Sequence, residues 1–274
     1  MSSTSISSPA MSSTSVSSAT CNFAWYELMT TDTSAAGAFY SSVVGWTTKD
    51  VSQGSMTYFT FNLGAVGIAG LMTIPEEARA MNHPPSWIGY IDVPDVDAHA
   101  AKIVAAGGRI LKPATDVPGM LRFVVVADPQ GAPFVIFTPN PAMPTPASRP
   151  VPPEPGTVGW HELYTSDLET AWDFYSTQFG WTKASDMDMK EMGIYRIFGI
   201  EEKQIGGMMT KPPSIPAPYW GFYFQVDAIG AATERLKAGG GSVINGPMQV
   251  PGGSWIIQAI DPQGAMFSLV SFTA

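Results

Sequence analysis

Residues 159–175 read GWHELYTSDLETAWDFY, and residues 24–40 read AWYELMTTDTSAAGAFY. The two stretches align residue for residue: 160 − 25 = 135, 167 − 32 = 135 and 175 − 40 = 135. Each begins with a strand-like run, reaches an aspartate where a helix N-cap belongs (Asp32, Asp167), and continues into a helical pattern closed by glycine (Gly45, Gly180). An internal duplication decides the fold, because each copy must repeat the same elements in the same order.

Outward from the first copy, the pattern predicts a strand over 22–30, a helix over 35–44 and strands over 46–50, 57–63 and 65–73, a βαβββ unit. A Pro- and Glu-containing loop over 75–85 leads to a strand over 87–93. A helix capped by Asp95 or Asp97 then runs to 106 and ends at Gly107-Gly108. Strands near 109–111, over 121–127 and over 133–137 complete a second unit, the last two joined by the turn Asp128-Pro129-Gln130-Gly131. Residues 139–157 hold eight prolines in nineteen positions and read as a semi-rigid linker.

After the linker the order recurs. Ile205-Gly206-Gly207-Met208-Met209 echoes Ile68-Ala69-Gly70-Leu71-Met72 (205 − 68 = 137). Gly221 echoes Gly89 and Gly239 echoes Gly107 at an offset of 132, and Asp261-Pro262-Gln263-Gly264 echoes the earlier turn at 133. The expected organisation is a Ser/Thr-rich disordered tail over 1–21, one domain over 22–138, the linker over 139–157 and a second domain over 158–274. MSSTS occurs at both Met1 and Met11, which leaves the start residue open.

Composition narrows the function classes. A net charge of −9 and a pI near 4.7 leave no basic stripe to displace counterions, so nucleic acid is not an expected partner. No apolar run reaches the roughly 18 residues of a membrane helix, so no membrane partner is expected. One cysteine, Cys21, removes intramolecular disulfides and cysteine metal clusters. With thirteen Ser or Thr and no signal-like apolar core in the first twenty residues, the expected location is cytoplasmic.

Taken together, three features in this order, present twice, resemble the vicinal oxygen chelate superfamily, the glyoxalase, bleomycin-resistance and extradiol dioxygenase group. They are the strand–Asp–helix opener with Phe39-Tyr40 and Gly45-Trp46 (Phe174-Tyr175 and Gly180-Trp181), the helix starts at Asp95–Ala98 and Asp227-Ala228, and the late Asp-Pro-Gln-Gly turn. The WxEL strands and the GGMM-type motif are most similar to tandem-domain glyoxalase-like members. The resemblance implies an α+β fold of four βαβββ units in two cupped half-barrel domains. It also implies metal-ligand positions that fall on Trp25 and Trp160, on or near Trp87 and on Tyr219 or Trp220, and on Val135 and Ser268. None of these is a usual metal ligand, so no cofactor is expected, with a divalent metal bound by atypical ligands as the alternative.

Strand parity places Glu27 and Glu162 beside the tryptophans on the cup face. A carboxylate there suits a general base through desolvation, or serves as a hydrogen-bonded structural acceptor. Trp25, Trp160, Trp87, Trp220 and Tyr223 are expected to wall the cup or to fill it. Tyr58, Tyr195 and Met208 are further wall candidates. His161 is expected to face away from the cup in a surface or interdomain role, and His83 and His99 to be exposed. The functions these residues support are binding of a small aromatic or apolar ligand, metal-free lyase, isomerase or hydrolase chemistry with Glu162 or Glu27 as base, and metal-dependent glyoxalase or dioxygenase chemistry. A monomer is expected, a dimer being compatible.

Overall fold

In the computed structural model, residues 21–54, 57–142 and 149–274 are described. Apart from Cys21, the serine-rich tail lies outside them, as do positions 143–148 of the proline-rich stretch. The first half forms β1 (Phe23–Thr30), α1 (Thr33–Val44), β2 (Thr47–Asp50), β3 (Tyr58–Leu63), β4 (Val66–Thr73), α2 (Glu76–Ala80), β5 (Ser86–Asp92), α3 (Val96–Ala105), β6 (Arg109–Val117), β7 (Leu121–Ala127) and β8 (Pro133–Pro139). The second half forms β9 (Val158–Thr165), α4 (Leu168–Phe179), β10 (Thr182–Asp188), β11 (Ile194–Ile200), β12 (Lys203–Thr210), β13 (Tyr219–Gln225), α5 (Ile229–Ala238), β14 (Ser242–Gln249), β15 (Trp255–Ile260) and β16 (Met266–Ser271). Each half is one eight-stranded sheet, in the orders β2-β3-β4-β1-β5-β8-β7-β6 and β10-β11-β12-β9-β13-β16-β15-β14. These are the two tandem α+β domains, with the first strands of paired units adjacent at the centre.

Local chemistry sets the boundaries. Asp32 accepts the Ala35 amide at 2.9 Å and Asp167 the Thr170 amide at 2.8 Å, each supplying a partner to a first-turn donor. Gly45 and Gly180 end those helices at φ 90° and 70°, where a side chain would be strained. Four expectations shift. The loop at 75–85 contains the short α2, and β6 extends to Val117. Asp227 is not a cap: α5 is preceded by Ala228 with no side-chain cap bond, and Asp227 pairs with Arg235 at 2.9 Å instead. The echoes at offset 132 are one residue out of register. Gly221 lies opposite Glu162, whereas Gly89 lies opposite Tyr26, and the left-handed glycines after α3 and α5 are Gly107 and Gly240. The offset is therefore 133 through the second unit (240 − 107 = 133).

One face of each sheet carries the helices, and these faces share a single core. Leu28, Trp87, Phe61 and Tyr40 of the first half join Phe224, Phe267, Trp220 and Tyr175 of the second. The polar contacts across this core exchange symmetrically. Trp46 donates to the Gly156 carbonyl at 2.7 Å, and Trp181 to the Cys21 carbonyl at 2.9 Å. Tyr40 donates to Asp261 at 3.1 Å, and Tyr175 to Asp128 at 3.2 Å. Such reciprocity is the signature of a two-fold interface, here within one chain. The FY–GW motif and the Asp-Pro-Gln-Gly turn thus build the junction between the halves: Asp128 also accepts the Gln130, Gly131 and Ala132 amides.

At the pseudo-axis His161 meets its repeat counterpart Tyr26 (161 − 26 = 135), with Nε2 2.6 Å from the tyrosine hydroxyl and Nδ1 2.6 Å from the Ile205 carbonyl. Phe23 stacks on the imidazole at 4.4 Å. Burial lowers the His161 pKa to about 4. The ring faces away from the cup, at the interface between the halves rather than on the surface. The expectation of an exposed His99 fails: it is buried against Phe179 at 5.2 Å, because α3 packs beside the junction.

Candidate functional site

The opposite, cup face of each sheet carries a constellation built from three strands. In the first cup Glu27 on β1 accepts from the Tyr58 hydroxyl on β3 at 2.7 Å and from the Tyr90 hydroxyl on β5 at 3.2 Å. The Trp25 indole donates to Tyr58 Oη at 3.3 Å. In the second cup Glu162 on β9 accepts from Tyr195 on β11 at 2.9 Å and from Tyr223 on β13 at 2.7 Å, and Trp160 donates to Tyr195 at 2.7 Å. Both oxygens of each carboxylate are therefore satisfied although Glu27 is only 7% and Glu162 6% exposed.

Glycine makes this reach possible. A Cβ on Gly70 would collide with the Tyr58 hydroxyl and lie 3.0 Å from Glu27 Oε2, and a Cβ on Gly207 would collide with the Tyr195 ring. The tyrosine lies flat across β4 or β12 only because the strand is bare there, which gives the glycine of the GGMM-type motif its physical reason.

The cups differ around this shared frame. The first is apolar: Ile88, Tyr90, Val135 and Phe137 form a buried cluster with Trp25, Met29, Phe123 and Val125 against it. The positions of Ile88, Val135, Met29 and Val125 are taken in the second cup by Gly221, Ser268, Tyr164 and Gln258. Gln258 donates to Tyr164 at 2.8 Å, to Tyr223 at 3.1 Å and to Glu162 at 3.4 Å, and Tyr164 stacks on Tyr219 at 5.1 Å. Desolvation raises the pKa of Glu27, partly offset by the two tyrosine hydrogen bonds. Carboxylate and burial together push the Tyr90 and Tyr223 hydroxyls well above the ordinary phenol range.

Three expected wall residues lie elsewhere. Trp87 is opposite Leu28 and Trp220 opposite Leu163, so both indoles face the shared core, where they donate to Tyr40 at 2.9 Å and Tyr175 at 3.0 Å. Met208 pairs with Leu163 and is fully buried on that face, leaving Met209 on the cup side. The cause is parity: Trp25 sits opposite Tyr90, not Trp87, so β5 offers Tyr90 to the cup. Sequence reasoning missed Tyr90, Gln258 and Tyr164. Tyr90 is visible as the counterpart of Tyr223 (223 − 90 = 133), a signal the offset of 132 hides.

The row of side chains through the first-strand ligand position reads Trp25, Tyr90 and Val135 in one cup and Trp160, Tyr223 and Ser268 in the other. Among the described residues no three His, Cys, Asp or Glu side chains converge. Indole, phenol and alkyl or hydroxyl groups do not make a three-ligand divalent site, so this donor set does not fit the metal that the resemblance implies. A separate groove of about 490 Å³ lies outside the cups, between Pro94 and Asn140, where Arg122 bridges Asp97 and Asp116 at 2.9 Å each. No described helix is long and apolar enough to cross a membrane.

Solved structures with this fold include a Mn(II)-bound glyoxalase from Novosphingobium aromaticivorans, 15% identical, covering 93% of this chain and 82% of that one at a TM-score of 0.61. Another is the 2,2',3-trihydroxybiphenyl 1,2-dioxygenase of Sphingomonas wittichii RW1, 11% identical, covering 92% and 90% at 0.64. Nearer in sequence are CFP32 of Mycobacterium tuberculosis, 34% identical over 90% of this chain and 93% of its own, and the anthracycline biosynthesis protein DnrV of Streptomyces peucetius, 31% identical over 90% and 92%. Residues 22–136 and 157–269 each match the Glyoxalase/Bleomycin resistance protein/Dioxygenase superfamily, and the chain belongs to that superfamily.

Proposed function

We propose that this chain binds a small, planar aromatic or apolar molecule on a cup face, as a cytoplasmic monomer and without the metal triad of its family. The duplicated carboxylate–tyrosine–indole constellation carries the reading. Each cup presents a half-buried indole and phenol rings around one satisfied carboxylate, a wall suited to ring stacking with a polar anchor at its base. The relation to DnrV and to DauV of Streptomyces, both named as anthracycline biosynthesis proteins, supports a fused-ring ligand class. Trp25, Tyr58, Trp160 and Tyr195 are partly exposed, so an incoming ligand has access to them.

A second reading, metal-free acid–base chemistry, is supported by Glu27, whose buried carboxyl is shifted toward the range of a general base. Glu162 is the corresponding group of the second cup. Tryptophan fluorescence titrated with 1,8-dihydroxyanthraquinone tests binding: saturable quenching is expected, weakened by Trp160→Phe or Trp25→Phe. A linear response like that of free tryptophan contradicts the reading. If Glu27→Gln or Glu162→Gln binds normally and loses turnover of a ligand, the acid–base reading holds; unchanged turnover removes it.

A further inference from the structure

The two cups treat their carboxylates differently in charge. In the first, Lys112 on β6 lies opposite Val125 and sets its ammonium 5.9 Å from the Phe123 ring centroid. Phe123 packs against Tyr90 at 6.3 Å, and Tyr90 donates to Glu27. Lys112 is thus a cation on the wall of the cup, whose charge is the smallest of the contributions that counter the desolvation of Glu27.

In the second cup the same lattice positions are neutral. Asn245 replaces Lys112 and Gln258 replaces Val125 (245 − 112 = 133, 258 − 125 = 133), and the two amides are bonded at 3.2 Å. The partners of Glu162 are two phenols and an amide, all donating to it and none of them a cation. Six of the seven lysines and arginines of this half are engaged elsewhere: Arg196 with Glu169 and Asp186, Arg235 with Asp227, Lys183 with Asp186, Lys190 with Asp188, Lys237 with Glu234, and Lys211 with the Ile215 carbonyl; the seventh, Lys203, acts on His161 at the junction. The wall is electron-rich, with Trp160, Tyr195 and the stacked Tyr164–Tyr219 pair around the carboxylate.

We propose that the second cup takes aromatic ligands that carry a protonated amine, while the first, which holds its own lysine, does not. The inference rests on the aromatic-ligand reading above and adds the charge of the ligand and the cup it enters. Ring faces and an uncompensated carboxylate together favour an organic cation over a neutral molecule of the same shape. Asn245 acts here by what it is not: it marks the position from which a lysine would fill the role of the ligand's ammonium.

The test compares 1-naphthylmethylamine with 1-naphthalenemethanol on the full chain by calorimetry at pH 7 and low salt. The amine is expected to bind at least about tenfold tighter than the alcohol, a preference that weakens with added salt. Asn245→Lys places the first cup's cation in the second. The position is exposed, and the amine-to-alcohol ratio should fall to about one. Glu162→Gln should do the same, whereas Lys112→Asn should add a second, amine-selective site. Equal affinity for both probes, or a preference that survives Asn245→Lys, overturns the proposal while leaving the aromatic-ligand reading standing. Binding of neither probe overturns both.

Discussion

The two cups share a frame and diverge in filling. Glu27 and Glu162 are each clamped by two tyrosine hydroxyls and flanked by an indole, over a glycine that lets one ring lie flat. Around that frame the first cup packs Ile88, Val125, Val135 and Phe137, while the second places Gly221, Gln258, Ser268 and Tyr164. A duplicated carboxylate held by duplicated donors is the frame the two cups share. What is not duplicated is free to specialise, so the proposed ligand selection is assigned to the residues that differ. The junction between the halves teaches the converse: the tryptophan and tyrosine bonds across it come in exchange-symmetric pairs, and His161 against Tyr26 is the divergence at its axis.

The comparison breaks most sharply at the glycines. Gly207→Ala drives a methyl group into the Tyr195 ring, and about 1–3 kcal/mol of stability should be lost in urea unfolding, with ligand binding abolished. Gly70→Ala should cost a similar amount through Tyr58 and leave binding in the second cup intact. Equal loss of binding in both variants would show that the cups act together.

Next in size is the acid response of the junction. His161 is buried neutral, its pKa lowered to about 4 from an unfolded value near 6.5. The unfolded chain therefore binds the extra proton, and stability present above pH 6.5 is lost as pH falls toward 4. Between pH 7 and pH 5 the loss from this ring should be about 2 kcal/mol, read from urea midpoints. His99, also lowered by burial, adds in the same direction. His161→Phe should flatten the slope. Because the pair sits between the halves, ligand affinity at pH 7 should not follow it.

A smaller effect distinguishes the two tryptophan faces. Trp87→Phe removes the bond to Tyr40 in the shared core and should cost about 1 kcal/mol without changing ligand affinity. Trp25→Phe or Trp160→Phe should do the reverse. The smallest effect expected is that of Glu27→Gln. The folded pKa of Glu27 is raised, so its contribution is present at acid pH and declines as pH rises through that value. The variant should lack that decline and differ from the parent by less than about 1 kcal/mol at neutral pH.

Much of the fold is legible in the sequence because its signals are local and repeated. The caps at Asp32, Asp95 and Asp167, the stops at Gly45 and Gly180, and the Asp128 turn each act within four residues. Trp25 with Glu27 and Trp160 with Glu162 share the cup face, as parity within one strand implies; Tyr58, Tyr195 and Tyr223 meet them there across strands. Trp87, Trp220 and Met208 were harder to place, because their facing depends on register between strands far apart in sequence. A slip of one residue in the repeat alignment turns every side chain over. His99 looks exposed on an alanine-rich helix and is buried only because the other half of the chain supplies Phe179. Gln258 carries no motif at all; only its position opposite Asn245 and above Glu162 gives it meaning.

The most direct test is a crystal structure of the full chain soaked with 1-naphthylmethylamine. The account predicts density for the ring against Trp160 and Tyr219, with the ammonium on the Glu162 carboxylate and the first cup filled by its own side chains. Density confined to the groove beside Arg122, or an aromatic ring lodged equally in both cups, would contradict it.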